Sequence, residues 1–299
     1  MPRATLPRPA STTLLLRDAA DGLRVLMLRR SASARFMPGA LVFPGGAVDA
    51  ADHSAAIEAC CAESRADAFS RLRLGDATDG LALAHAVAAL RECFEECGLW
   101  LGADMLVEAR ALADARRRLL AGSARIDALS AELSVPLATR ALAPWSHWVT
   151  PIDAERRFDT VFFVAMAPLD QAASAEGGEA TGVAWTRPVD ALATSAGDAL
   201  PFATRRTLES LLPFRDSVSV MRAARRPRRM PTLHPRVART RAGDRCVLLP
   251  RDAGYRDVMR LDPEGTGAAV VPEAPCPPRP PPADRRLAFR NHKTDQETS

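Results

Sequence analysis

Lysine is almost missing from this 299-residue chain. Lys293 is the single one, and arginine carries the rest of the positive charge. No apolar run approaches the roughly 20 residues needed to cross a bilayer. The "LLL" of "MPRATLPRPASTTLLLRD" is too short for a signal peptide. A soluble, cytoplasmic protein without membrane partners is expected. The six cysteines, at 60, 61, 93, 97, 246 and 276, form no CxxC pair, and the chain is too large for a disulfide-stapled mini-scaffold. Reduced thiols are expected. Cys93 and Cys97 stand at i,i+4, but no second Cys/His pair with zinc-site spacing accompanies them. Internal repeats are absent.

What is present is ordinary in bulk and uneven in detail. A composition of 47% hydrophobic and 25% charged residues fits a globular protein able to bury a full core. Residues 221–251 hold ten arginines against one acidic residue, Asp244, a net +9, which leaves −5 for the rest of a chain whose formal charge is +4. That stretch reads either as a basic patch for a polyanionic ligand or as a solvated linker. No recognisable RNA- or DNA-binding motif accompanies its arginines, so nucleic acid is not the expected partner.

Along the chain, Thr12–Arg17 and Leu23–Arg29 read as strands around an Asp-Gly turn. "ALVFPGG" is a short strand ending in Pro44, Gly45 and Gly46. Residues 53–82 read as a helical insertion with Ile57, Phe69, Leu72 and Leu74 as its apolar positions. Leu83 to Gly98 is a strong helix with Val87, Leu90, Cys93, Phe94 and Cys97 in one apolar stripe, and Gly98 is placed to cap it. Residues 104–135 read as helical. "PWSHWVTP", "RFDTVFFVAMAP" and "EATGVAWTRP" read as strands, and Pro188–Thr194 and Ala203–Leu212 as short helices. On a strand Trp145 and Trp148 face opposite sides, and core packing is expected of them, as of His147. Asp159 is expected to pair with Arg156 or Arg157. After Pro213 the pattern weakens, with one further strand at 245–250. The proline-dense 272–282 and the polar end read as disordered. The sum is an α/β fold with a mixed sheet.

The most informative stretch is "RECFEECGLW" (91–100). Glu92, Glu95 and Glu96 crowd one edge of the helix, where each like-charge pair costs about 0.2–0.5 kcal/mol. Arg91 can pair with Glu95 at i,i+4. Glu92 and Glu96 remain, also at i,i+4, and a hard divalent cation would satisfy them. Upstream, "FPGG" sets two glycines where backbone can come close to a phosphate or a metal.

The segment "GAVDAAD…RECFEECGL" resembles the box of the nudix hydrolases, G-x5-E-x7-R-E-U-x-E-E-x-G-U with U apolar. Gly46 matches the first glycine; Arg91, Glu92, Cys93, Glu95, Glu96, Gly98 and Leu99 match the second half. Asp52 stands at the first glutamate, keeping the charge on a shorter side chain. The seven-residue spacer is here 38 residues, 53 to 90, an insertion of about thirty. A box interrupted in this way is similar to that of the coenzyme A diphosphatases. "RSASARFMPGALVFPGG" (30–46) fits their R-[SA]-x3-R-x3-G-x3-F-P-G-G signature through Arg30, Ser31, Arg35, Gly39 and Phe43–Gly46. Leu26, Met27 and Leu28 stand where that signature has Leu-Leu-Thr.

The resemblance implies an α/β nudix fold, a mixed β-sheet sandwiched between helices, over residues 11–215. The insertion at 53–82 precedes the nudix helix, a basic extension covers 216–271 and a tail 272–299. It implies Mg²⁺ or Mn²⁺ held by Glu92, Glu95, Glu96 and the Gly45 carbonyl, with Arg91 orienting Glu95. Glu179 becomes a candidate general base or further ligand, and Arg30, Arg35 and Gly46 are the substrate-binding set. The implied reaction is hydrolysis of the pyrophosphate of coenzyme A or acyl-coenzyme A, small nucleotide-like substrates. ADP-ribose or NADH hydrolysis, and a catalytically silent binding module, are the alternatives.

Overall fold

Glycine and alternating apolar residues set up the first hairpin. β1 (Arg8–Ala19) and β2 (Gly22–Arg30) join through Ala20 and Asp21, with Gly22 at φ 111°, a value that favours glycine. β3 (Leu41–Val42) and β4 (Gly45–Ala47) follow. A 3-10 turn at Ala50–His53 leads to α1 (Ala55–Cys60) and α2 (Arg65–Leu72), and then to the long α3 (Ala82–Cys97). α4 (Ala109–Leu120) and α5 (Ile126–Leu133) precede β5 (Ala143–Val149), β6 (Phe158–Met166) and β7 (Ala180–Thr186). Three helices, α6 (Pro188–Ala193), α7 (Phe202–Leu211) and α8 (Ser217–Ala224), come next. The remainder holds β8 (Thr232–Leu233), β9 (Arg236–Thr240), β10 (Arg245–Leu248), α9 (Tyr255–Leu261) and β11 (Val270–Val271). This computed structural model describes residues 6–34, 37–74, 81–102, 107–176, 178–193, 200–228, 230, 232–241 and 243–271. The proline-dense stretch and polar tail lie outside them.

The main sheet runs β3-β2-β1-β6-β5-β8, with β4 on β1 and β7 on β2. β1 and β6 are parallel and β1 and β2 antiparallel, so the sheet is mixed as expected. Because successive side chains alternate, each central strand feeds two cores. Leu15, Leu26, Leu28, Val161 and Phe163 enter the core beneath α3, α4 and α5. Leu14, Leu16, Val25, Met27, Phe162 and Val164 enter the one beneath α6, α7 and α8. A separate three-stranded sheet, β10-β9-β11, packs with α9 around a third, smaller core.

Several local readings differ from the structure, each for a physical reason. The helix expected over 104–135 is two helices, broken around Gly122 at φ 66°; residues 103–106 lie outside the described set. Phe69 is exposed, while Ile57, Ala68, Leu72 and Leu74 anchor the insertion in the first core. Trp145 and Trp148 share one core, because the β5 register shifts between Pro144 and Ser146 and rotates Trp145. They meet Phe214 and Phe202 edge-on. His147 is fully buried as expected, but it bonds Asp159 through Nε2 and faces Thr232 Oγ1 at 3.0 Å through Nδ1. The weak pattern after Pro213 conceals α8, whose Val220, Met221, Ala223 and Ala224 complete the second core. Asp18 ties down its start by accepting from the Ser217 N–H and hydroxyl, both at 2.7 Å.

The insertion has an anchor of its own. The fully buried Glu63 carboxylate receives Arg71 Nε at 2.8 Å and Nη2 at 2.5 Å, and Arg71 also donates to the carbonyls of Leu142 and Thr139. Removing one partner leaves a buried charge unpaired. Arg71→Met should therefore cost about 3 kcal/mol in urea unfolding. The double variant with Glu63→Leu should recover much of that loss.

Candidate active site

α3 is held against the sheet along two edges. Val87, Leu90, Cys93, Phe94 and Cys97 are buried in the first core. The other edge is stitched to β1: His85 Nδ1 lies 3.1 Å from Ser11 Oγ and from the Ala10 carbonyl, and Thr13 Oγ1 reaches the Ala89 carbonyl at 3.4 Å. Burial lowers the His85 pKa to about 4, so the imidazole is neutral there. The helix ends at Gly98, φ 72°, a left-handed cap. Beyond it Arg116, 3% exposed, donates twice to the Glu95 carbonyl, at 3.1 and 2.9 Å, and reaches Ser174 as well. A cation at the carbonyl end of a helix is favourable.

The two glycines fit this packing closely. A Cβ on Gly45 would stand 2.7 Å from Thr12 Cα, and one on Gly46 would run into the Glu92 carboxylate. The Gly45 N–H donates to Glu96 Oε2 at 2.8 Å. Glu92 and Glu96 thus lie against the diglycine bend, with the bend's backbone in direct contact.

Arg91 is the charge centre of the site, and its main partner is not the one expected. It donates to Asp52 through Nε and Nη2, both at 3.0 Å, to the Ala47 carbonyl at 2.9 Å and to Glu92 Oε1 at 2.8 Å. Glu95 receives a longer bond of 3.3 Å. Asp52 is 2% exposed, and its carboxylate also accepts from the Asp49 N–H. Burial alone would lower the Arg91 pKa, but Asp52, Glu92 and Glu95 outweigh it and hold the guanidinium above its usual range.

The carboxylates shift upward. Burial pushes Glu96 up to about 8; Glu92 and Glu179 push the same way, against the Gly45 N–H and Arg30. Burial pushes Glu92 up to about 7, helped by Glu95 and Glu179 and opposed by Arg91. Glu95 is raised by burial first, with Arg91 opposing. Glu179 precedes β7, and its carbonyl accepts from the Ser31 N–H at 2.8 Å. Arg30 ends β2, opposite Ala180. The structure thus brings Gly45, Gly46, Glu92 and Glu96 together with Arg91, which bridges to Glu95, while Arg30 and Glu179 are near enough to act on Glu96. Arg35 lies outside the described residues.

One residue and one contact of this neighbourhood escape a reading of the sequence. Arg116 carries a signal, an arginine on the apolar face of an amphipathic helix beside Leu112 and Ala115, all three buried. The Asp52–Arg91 clamp carries none, because the partners are 39 residues apart.

A family model described as the NUDT19 Nudix domain matches residues 4–203. The chain belongs to this Nudix family. An acyl-coenzyme A diphosphatase NUDT19 of Homo sapiens is 32% identical over 209 residues, which cover 58% of this chain and 55% of that protein. The Gallus gallus protein of the same name is 31% identical over 208 residues, 56% of this chain and 55% of its own. The chain thus spans about half the length of these relatives. A Nudix hydrolase structure from Alicyclobacillus acidocaldarius is 30% identical, with a TM-score of 0.57, covering 74% of this chain and 97% of that one. Among the described residues no helix is long and apolar enough to cross a membrane.

Two outcomes follow for the protein without added metal. Gly46→Ala forces Glu92 aside, and thermal unfolding should report a loss of about 1–3 kcal/mol. Glu92 and Glu96 bind protons more tightly folded than unfolded, so their contribution is full below the unfolded carboxylate range, near pH 4.5. It is lost as pH rises through about 7 to 8. The melting temperature should fall by several degrees between pH 5 and pH 8.5, and Glu96→Gln should flatten that slope.

Proposed function

We infer that the chain hydrolyses the pyrophosphate bond of a nucleotide-like substrate, with coenzyme A or acyl-coenzyme A as that substrate and Mg²⁺ or Mn²⁺ as cofactor. The observation that carries this reading is the pair of carboxylates, Glu96 buried and Glu92 half-buried, set against the Gly45–Gly46 bend. Two adjacent, largely desolvated carboxylates with raised pKa values form a hard oxygen donor set whose mutual repulsion a divalent cation relieves. Among the described residues no three His, Cys, Asp or Glu side chains already converge as a closed cluster. Mg²⁺ needs few protein ligands, since it keeps several waters and takes further oxygens from substrate phosphate.

Glu92 and Glu96 are the proposed metal ligands, with the Gly45 carbonyl as a further donor; Glu95, expected from the sequence as a third ligand, accepts from Arg91 at 3.3 Å and is proposed in a positioning role instead. The bound ion would supply charge neutralisation at the phosphate oxygens. The chain's own residues divide the remaining work. Arg91 and Asp52 fix the direction of Glu92, and Glu95 acts through Arg91. Arg30 offers a planar guanidinium for bidentate phosphate contact, and Arg35 belongs to the same proposed set. Gly46 lets substrate and carboxylate come close to one backbone. Glu179 is the proposed proton acceptor for the attacking water. Cleavage of coenzyme A would give adenosine 3′,5′-bisphosphate and 4′-phosphopantetheine, or the acylated arm from an acyl-coenzyme A.

The names of the relatives support this substrate class, as does the 30–46 motif. The missing threonine weighs little against it. Leu28, at that position, is 1% exposed and packs in the core beneath α3, so its side chain faces no substrate.

Purified protein with Mg²⁺ or Mn²⁺ should release adenosine 3′,5′-bisphosphate from coenzyme A faster than it cleaves ADP-ribose or NADH. Glu96→Gln should lower turnover on the order of 100-fold while the fold is kept. Preferred cleavage of ADP-ribose would overturn the substrate assignment. Full activity in Glu96→Gln would overturn the metal assignment, and inactivity with every metal and substrate would point to a binding module.

A further inference from the structure

The stretch that leads to Glu179 has no regular structure of its own. After β6 the chain crosses to β7 through residues 167–179, and the described residues of that crossing form neither helix nor strand. Bonds to the end of α3 and to the residues just beyond it place the crossing instead. Gln171 exchanges two bonds with the Trp100 backbone, accepting from its N–H at 2.8 Å and donating to its carbonyl at 3.1 Å. The Ser174 N–H donates to the Cys97 carbonyl at 3.0 Å.

Arg116 bridges the two sides. Nε and Nη2 donate to the Glu95 carbonyl on α3. On the crossing, Nη1 donates to Ser174 Oγ at 2.9 Å and Nη2 to the Ser174 carbonyl at 3.0 Å, and Nη1 lies 3.5 Å from the Glu176 carboxylate. The guanidinium passes directly over Gly98, where a Cβ would stand 2.8 Å from Nη1. The cap residue thus leaves room for the bridge as well as ending the helix. Satisfying the helix end needs only the two bonds to Glu95. The contacts with Ser174 and Glu176 do nothing for α3. They hold the crossing, and a rigid planar fork holds it in one register.

We propose that Arg116 is a positioning residue for the reaction: it sets the place of Glu179 relative to Glu92 and Glu96 by locking residues 174–176 to the end of α3. This rests on the reading of Glu179 as the proton acceptor. The anchor on α3 is the backbone of Glu95, between Glu92 and Glu96 in the chain. The anchor on the crossing ends at Glu176, three residues before Glu179. Slack at Ser174 and Glu176 therefore passes to Glu179, and a misplaced proton acceptor costs rate rather than affinity.

The test starts with hydrogen exchange in the metal-free full chain. Arg116→Gln should speed exchange of the amides of 171–176 about tenfold or more, while the interior of α3 keeps its rates. With coenzyme A and Mg²⁺, kcat should fall about 10- to 100-fold, with KM changed less than about twofold. In a Glu179→Gln background the same substitution should have little further effect on kcat, because the group it positions is gone. Ser174→Ala keeps both bonds to Glu95 and removes one acceptor on the crossing. It should lower kcat at an unchanged melting temperature, so misfolding of the Arg116 variant does not decide the matter. Arg116→Lys keeps the charge without the fork and should leave kcat low. Unchanged exchange at 171–176 overturns the proposal. So does unchanged kcat in Arg116→Gln and Ser174→Ala, full rescue by lysine, or a loss that multiplies in full with that of Glu179→Gln. Full turnover in Glu179→Gln, or none in the wild-type protein, is a separate result: it overturns the reading of the active site and this inference with it. A loss in Glu179→Gln without an effect of Arg116 overturns this inference alone.

Discussion

Everything in this fold that concerns chemistry depends on keeping two carboxylates out of water. Glu96 is buried and Glu92 half-buried along the edge of α3, and loss of water contact is the main reason their proton affinities rise. A helix would not adopt this arrangement for its own stability. The surroundings compensate in specific ways. The Gly45 N–H meets Glu96, Arg91 meets Glu92, and Gly46 has no side chain where the Glu92 carboxylate lies. The apolar stripe on the opposite edge supplies the packing that holds α3 in place despite this cost. At the helix end, Gly98 and Arg116 satisfy carbonyls that would otherwise be left without partners.

Arg91 explains how a box can be split by an insertion and still close. Asp52 is the last box position before the extra residues, and Arg91 is the first after them. The two meet through paired bonds of 3.0 Å in a buried setting. The clamp therefore fixes the point where the insertion leaves the box against the helix into which it returns, and the added length costs loop entropy that grows only slowly with residue number. Its interior is held separately, by Ile57, Ala68 and Leu72 in the core and by the Glu63–Arg71 pair. The shorter side chain of Asp52 suits the clamp, since the 3-10 turn at Ala50–His53 brings its backbone close to Arg91.

What the sequence discloses and what it hides divides along a physical line. Features encoded by neighbours are legible: the continuous apolar runs of β1, β2 and β6, the stripe of α3, the Gly98 cap and the diglycine bend. The crowding of Glu92, Glu95 and Glu96 is local too, and it marks where the chain departs from ordinary helix stability. Contacts between distant residues are not legible. A reading by spacing joins Arg91 to Glu95, four residues on, whereas the dominant bonds go to Asp52 and Glu92. Strict alternation puts Trp145 and Trp148 on opposite faces, and one register shift in β5 defeats it. α8 is hard to see because arginine surrounds its few apolar residues, although Val220 and Met221 are buried.

The distribution of charge follows the same logic at the scale of the whole fold. An acidic centre keeps its field only if the arginine-rich stretch after α8 is held away from it. Were the two adjacent, Arg225 and Arg226 would neutralise Glu92 and Glu96. The sheet prevents this: the carboxylates sit over β1 and β4, and the stretch after α8 meets β5, where Arg228 donates to the Trp145 carbonyl, on the far side of β6. Within the acidic centre the resident cations, Arg91 and Arg30, are those whose positions on α3 and β2 are fixed by regular structure. Arginine is therefore used in two different ways here. Arg91 is locked among carboxylates and orients them, whereas others, such as Arg65, Arg71 and Arg118, each pair with one acid away from the site.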